Sequence, residues 1–219
     1  MTTEVVIVRH GETSWNKEGR LQGQHDPPLN GQGNEQAANL GEYVASGSLG
    51  EISAVYTSDL ARAEQTALAI SERLGRGAPV SMKDFREKKL GVIEGLTLEE
   101  AAVREPEAYE RWRKGKGCPG AEDKSLVDAR IKRGLDEILN KHKGQKVLLV
   151  THGGILNSIH KLLTGTKFPG KIPNTSISTI KKDEEDKQWK IESYACCSHM
   201  VSQGVQFDNR AFGGIGDTG

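Results

Sequence analysis

The sequence predicts an α/β protein: a three-layer α/β/α sandwich on a mostly parallel central sheet, with a small helical cap inserted. Three observations lead there. Two short runs, Val5-Val6-Ile7-Val8 and Val147-Leu148-Leu149-Val150, are apolar without alternation, as strands buried on both faces of a parallel sheet are. Stretches with apolar residues at helical spacing separate the strand-like runs. The 219 residues are enough for one such domain with a full core.

The first strand ends at Arg9-His10-Gly11-Glu12-Thr13. Trp15 to Asn30, rich in Gly, Gln, Asn and Pro, reads as a loop long enough to be functional. A helix is expected from Gln32 to Ala45, with Ala37, Leu40, Val44 and Ala45 as its core face. Ala54 to Ser58 is a short strand. Asp59 is the expected N-cap of a helix over Leu60 to Leu74, with Leu60, Ala63, Ala67, Ile70 and Leu74 inward. Pro79 to Met82 is a weaker strand. Residues 88–124 then read as a helical insertion, its pieces too polar to form a core alone, packed over the sheet edge as a cap. Ser125 opens the longest helix, with Leu126, Ala129, Ile131, Leu135, Ile138 and Leu139 inward and Lys141-His142-Lys143-Gly144 at its end. After the second buried strand a helix runs through Leu163. Thr175 to Lys181 and Trp189 to Tyr194 are strands around the charged turn Asp183-Glu184-Glu185-Asp186, and 213–219 is a flexible tail. The whole of 1–219 is read as a single domain.

Thirty Lys+Arg balance thirty Asp+Glu, so no global field favours nucleic acid or an anionic membrane, and an anion site must be local. Three cysteines, Cys118, Cys196 and Cys197, have no metal-ligand spacing and leave an odd thiol, which suits a reducing compartment. With Met1-Thr2-Thr3-Glu4 leading at once into the first strand and no apolar run of membrane length, a cytoplasmic protein is expected. Neither a metal nor another cofactor is expected, and oligomeric state is not legible.

The chemistry follows from the strand ends. In a parallel sheet both carboxyl ends open onto one edge, where α/β sheets bind ligands, so His10 and His152 can face one another there. Arg9 stands beside the first, and Arg62 near the start of the helix after Ser58. Two guanidinium groups, two imidazoles and glycine-freed amides suit a phosphoryl group, whose oxygens match planar guanidinium forks. Beside such an anion a neutral imidazole nitrogen can attack phosphorus in line, provided that a backbone carbonyl holds its other ring nitrogen.

Arg9-His10-Gly11-Glu12-Thr13, Ser58-Asp59-Leu60-Ala61-Arg62-Ala63 with Gln65-Thr66, Arg86-Glu87 before Gly91, and Thr151-His152-Gly153-Gly154 together resemble the histidine phosphatase superfamily, the phosphoglycerate mutase-like proteins. The resemblance spans nearly the whole chain. It implies that His10 is the nucleophile that becomes phosphorylated, that Arg9, Arg62 and His152 hold phosphoryl oxygens, that Asn16 adds a donor, and that Glu87 is the proton donor. Gln22, Gly23 and Gly153 match positions that border the substrate.

Each residue also has a plainer reading. Glu87 lies in the charge run Arg86-Glu87-Lys88-Lys89, Asn16 suits a turn, and Arg62 could pair with Asp59 or Glu12. His25 reads as a loop contact, His142 as a helix-end residue, His160 as a surface one and His199 as structural; Trp112 and Trp189 read as packing anchors. Gly165-Thr166-Lys167-Phe168-Pro169-Gly170-Lys171-Ile172 nearly spells a phosphate loop, but Ile172 stands where Ser or Thr should be. The short insertion and Leu90-Gly91-Val92-Ile93-Glu94-Gly95 resemble the phosphatase branch. Pro119-Gly120-Ala121-Glu122-Asp123-Lys124-Ser125-Leu126 departs from the Pro-Gly-Gly-Glu-Ser-Leu of relatives. The expected function is a metal-independent phosphomonoesterase of a small phosphorylated metabolite, with a phosphoglycerate mutase and a non-catalytic phosphate-ligand binder as alternatives.

Overall fold

A computed structural model describes residues 1–183, 185 and 188–202; the expected tail at 213–219 and part of the charged turn lie outside them. Its six strands are ordered β3-β2-β4-β1-β5-β6. β1 (Thr2–Arg9), β2 (Ala54–Thr57), β3 (Val80–Ser81) and β4 (Lys146–Thr151) are mutually parallel, and β5 (Ile177–Asp183) and β6 (Trp189–Cys196) add an antiparallel edge.

The unbroken apolar runs have the predicted cause. Val5 and Ile7 of β1, with Val147 and Leu149 of β4, pack on one face beneath α6 (Lys124–Lys141) and α7 (Gly153–Thr164). Val6, Val8, Leu148 and Val150 face the other way, against α2 (Gly31–Ala45) and α3 (Ala61–Arg73). Two neighbouring positions on a strand point to opposite faces, so a strand covered on both sides must be apolar throughout.

Several local expectations are corrected. The loop after β1 begins with a short helix, α1 (Ser14–Lys17), closed by a capping box between Thr13 and Asn16. Asp59 does not cap α3: the N-cap position is Leu60, and the Asp26 carboxylate accepts from Ala61 N at 2.8 Å instead. Ala45 is exposed at the end of α2. On α6 the buried stripe is Val127, Ile131, Leu135 and Ile138, with Leu126 61% exposed and Ala129 exposed. The stripe turns because Gly134 and Arg130 also face inward, where a Cβ on Gly134 would lie 2.7 Å from the Phe85 ring.

Residues 88–124 carry α4 (Leu98–Arg104) and α5 (Pro106–Arg113), and they have an apolar cluster after all. Ile93, Ala101, Ala108 and Cys118 form it with Leu21, which comes from the loop after β1 and completes it. Trp112 stacks on Tyr109 there, ring centroids 6.0 Å apart. His160 is half-buried, packed against Phe168 and Tyr194 and not on the surface as expected. Among the described residues no helix is long and apolar enough to cross a membrane.

The corrected stripe separates two substitutions on α6. Ile131→Ala should cost about 2–5 kcal/mol in chemical denaturation, and Leu126→Ala should stay within about 0.5 kcal/mol. A large loss at Leu126 would place the helix in the orientation first expected.

Candidate active site

The β1–β4 ladder pairs Arg9 with Thr151, and His10 N donates to Thr151 O at 2.9 Å. His10 and His152 therefore leave adjacent strands at the same level, with ring centroids 5.2 Å apart. His10 Nδ1 lies 2.6 Å from the Gly11 carbonyl oxygen. A carbonyl only accepts, so Nδ1 carries the proton and Nε2 keeps a lone pair. Burial, and then the Arg62 and Arg9 charges, hold His10 well below the ordinary imidazole range, which preserves that lone pair. Gly11 is a glycine because a Cβ there would lie 2.6 Å from the Gly33 carbonyl oxygen at the start of α2.

Arg9 and Arg62 are almost completely buried. Arg9 Nη1 donates to Ile172 O at 2.6 Å, so the stretch that imitates a phosphate loop instead steadies this guanidinium. Arg62 Nη1 donates to His25 O at 2.7 Å and Nη2 to Gly23 O at 2.9 Å. Its carboxylate neighbour is Asp26, at 3.8 Å; Asp59 is taken by Arg86. Both planes are thereby fixed, while Nε of each guanidinium remains buried without a hydrogen-bond partner. Burial lowers both pKa values to about 10, so both arginines stay cationic at neutral pH. His152 is likewise buried with Nδ1 unpartnered, and burial followed by Arg62, His10, Arg9 and Arg130 keeps it well below the ordinary range.

Glu87 follows the Arg86–Asp59 ion pair, which ties its segment to the start of α3. Its Oε2 accepts from Gly154 N at 2.9 Å and its Oε1 from Lys88 N at 2.8 Å. A Cβ on Gly154 would lie 2.4 Å from Glu87 Oε1, so only glycine admits the carboxylate to the amino end of α7. Gly153, just before it, has no such crowding: its nearest neighbour would be Arg9 Nε at 3.6 Å. Asn16 Oδ1 accepts from Thr13 N and from Asn174 Nδ2, at 3.2 and 3.3 Å. Gln22 is buried with Oε1 unpartnered. Gly23 is held at φ +51° against the Glu94 carboxylate and gives its carbonyl to Arg62.

The sequence profile of the histidine phosphatase superfamily (branch 1) matches residues 5–196 of this chain. The chain belongs to the histidine phosphatase superfamily. Among its histidine phosphatase relatives, the metal-independent phosphoserine phosphatase of Arabidopsis thaliana is 38% identical over 217 residues, covering 97% of this chain and 88% of its own. Phosphoglycerate mutase-like protein 4 of the same plant is 37% identical over 216 residues, covering 96% and 92%. A mycobacterial glucosyl-3-phosphoglycerate phosphatase structure superposes with a TM-score of 0.78 at 26% identity, over 90% of this chain and 100% of that one.

In this histidine phosphatase, the structure brings His10, Arg9, Arg62, His152, Glu87, Asn16, Gln22, Gly23 and Gly153 to one edge of the sheet. It also reveals supports that sequence patterns did not signal. Arg130 donates to the Asp84 and Arg86 carbonyls at 2.8 and 2.6 Å and pairs with Glu122, pinning the segment that carries Glu87. Asn174 Nδ2 donates to His10 O at 2.9 Å. Thr66 Oγ1 accepts from Gly11 N at 3.0 Å; Thr66 lay within the quoted motif, but nothing local marked its hydroxyl as a support. Trp189 lies under Lys182, 5.5 Å from its ring centroid, outside the site. His25 lies beside Trp15 and Glu94. Among the described residues no three His, Cys, Asp or Glu converge on a common point as a metal cage would.

The neutral imidazoles couple stability to pH. Below about pH 6.5 the unfolded chain binds protons on His10 and His152 that the folded chain refuses, so stability present above that pH is lost as it falls. The urea midpoint should drop from about pH 7.5 to about pH 5, and less in a His10→Asn, His152→Gln double variant. An equal drop in both proteins would place these histidines' protons in solvent.

Proposed function

We propose that this protein is a metal-independent phosphomonoesterase that cleaves a small phosphorylated metabolite through a phosphohistidine on His10. The observation that carries the reading is two buried guanidinium donors, Arg9 Nε and Arg62 Nε, and one buried imidazole nitrogen, His152 Nδ1, all without partners, around a neutral His10. Fixed, dry donors of this kind favour charge on the equatorial oxygens of a transferring phosphoryl group. His10 Nε2 attacks phosphorus, and the alkoxide leaves. Glu87 supplies its proton and then takes one from the water that cleaves the phosphohistidine, restoring His10 and releasing phosphate. Asn16 and the amino end of α7 at Gly153 add donors, and Gln22 and Gly23 border the leaving group.

The names of two relatives direct the substrate search toward phosphoserine and phosphoglycerate esters. The residues 88–124 act as a cap inserted in a single domain. We place the protein in the cytoplasm on its three free thiols, with no nucleic-acid partner on its balanced charge. A panel of phosphorylated metabolites that includes both esters should release phosphate, and acid-labile phosphoprotein should be trapped with wild type and not with His10→Ala. Neither signal from wild type would leave a binding protein. The likeness to a phosphoglycerate mutase-like protein supplies a second reading. Conversion of 3-phosphoglycerate to 2-phosphoglycerate with added bisphosphoglycerate, and little free phosphate, would decide for it.

Glu87→Gln should slow alkyl phosphates by about 100-fold or more, and aryl phosphates by less than about tenfold because their leaving groups need less protonation. Equal losses on the two classes, in steady-state assays, would remove Glu87 as the acid.

A further inference from the structure

We infer that Ser58 is a positioning residue, whose hydroxyl holds His152 in the tautomer with its proton on Nδ1, so that His152 presents a donor to the anion site. The inference rests on the phosphoryl-transfer reading for its consequence, but not for its geometry. Ser58 is completely buried where β2 ends, and its N–H donates to Val150 O at 2.9 Å, so the β2–β4 ladder sets it beside His152. Ser58 Oγ lies 2.8 Å from His152 Nε2. Its other polar neighbour is Leu60 N, at 3.3 Å.

Those two contacts fix the protons. Leu60 N–H can only donate, so it takes one lone pair of the Ser58 oxygen, and the hydroxyl proton goes to the remaining acceptor, His152 Nε2. The reverse arrangement, with the proton on Nε2, would leave a buried hydroxyl proton without an acceptor. With Nε2 accepting, the imidazole proton must sit on Nδ1, the atom that is buried and has no partner in the protein. In the other tautomer Nδ1 would turn a lone pair toward phosphoryl oxygens and repel them. Ser58 thus does for His152 what the Gly11 carbonyl does for His10, with the opposite polarity: one ring is made a nucleophile and the other a donor.

The test is the imidazole nitrogen-15 spectrum of the wild-type protein, with His152 assigned by its loss in His152→Gln. The Nδ1–H pattern is expected for His152, and the Nε2–H pattern alone would overturn the inference whatever the enzyme's activity. Ser58→Ala should shift His152 away from Nδ1–H, leave the His10 signals in place, and weaken inhibition by inorganic phosphate about 10- to 100-fold, the worth of one charge-assisted donor. Ser58→Thr, which keeps the hydroxyl, should restore both signals. An Nδ1–H pattern and phosphate inhibition unchanged in a folded Ser58→Ala protein would refute the role. Should Ser58→Ala not fold, the wild-type spectrum still decides. Failure of the phosphatase reading looks different: wild type would release no phosphate while its His152 spectrum stayed as described.

Discussion

The parallel pairing of β1 with β4 is the constraint on which everything else in the site depends. Because a parallel ladder fixes both strands' ends at one level, the residue after Arg9 and the residue after Thr151 must emerge together. A slip by one residue would send one imidazole to the opposite face of the sheet and break the pair. The same ladder continues to β2, so Ser58 emerges beside His152 for the same reason. The core packing that holds β1 and β4 in register, Val5 through Val8 against Val147 through Val150, is therefore also what aligns the chemistry.

Burying two guanidinium groups within reach of each other is costly unless their donors are satisfied and their charge is compensated. The chain meets this with carbonyls and carboxylates. Ile172, Gly23 and His25 each give an oxygen to an arginine, and the Glu87 charge bears on both. The compensation is incomplete: the Nε of each guanidinium is left without a hydrogen-bond partner, as the proposed phosphoryl binding requires. Burial, and then the same positive field, hold the neighbouring histidines well below the ordinary imidazole range.

The loop after β1 and the cap are tied to this cradle by shared partners. Glu94 accepts from Leu90 N and Gln24 N, and Gln24 Nε2 donates to Glu87 O. Leu21 lies inside the apolar cluster of the cap. The carbonyls that orient Arg62 thus belong to a segment whose other contacts reach Glu87. Arg62 and Glu87 are consequently held by two ends of one hydrogen-bonded network.

Sheet strands, the order of elements and the residues that meet at the sheet edge were legible in the sequence, because period, strand-end glycines and the four linked motifs are local signals. The stripe on α6 and the N-cap of α3 were not. Leu126 looks as apolar as Val127, and only the Phe85 ring against Gly134 decides which one turns inward. Asp59 stands in the capping position by sequence, yet Arg86 draws it away and Asp26 arrives from 35 residues upstream to do the capping. The sequence alone determined which candidate side chains converge at the sheet edge. Tertiary structure decided how each is held: the Gly11 carbonyl on His10, Ser58 on His152, Arg130 and Gly154 around Glu87. Those partners are distant in the chain or are backbone atoms common to every residue, so even where a motif contains them, as with Ser58 and Gly154, the order of amino acids does not say what they hold.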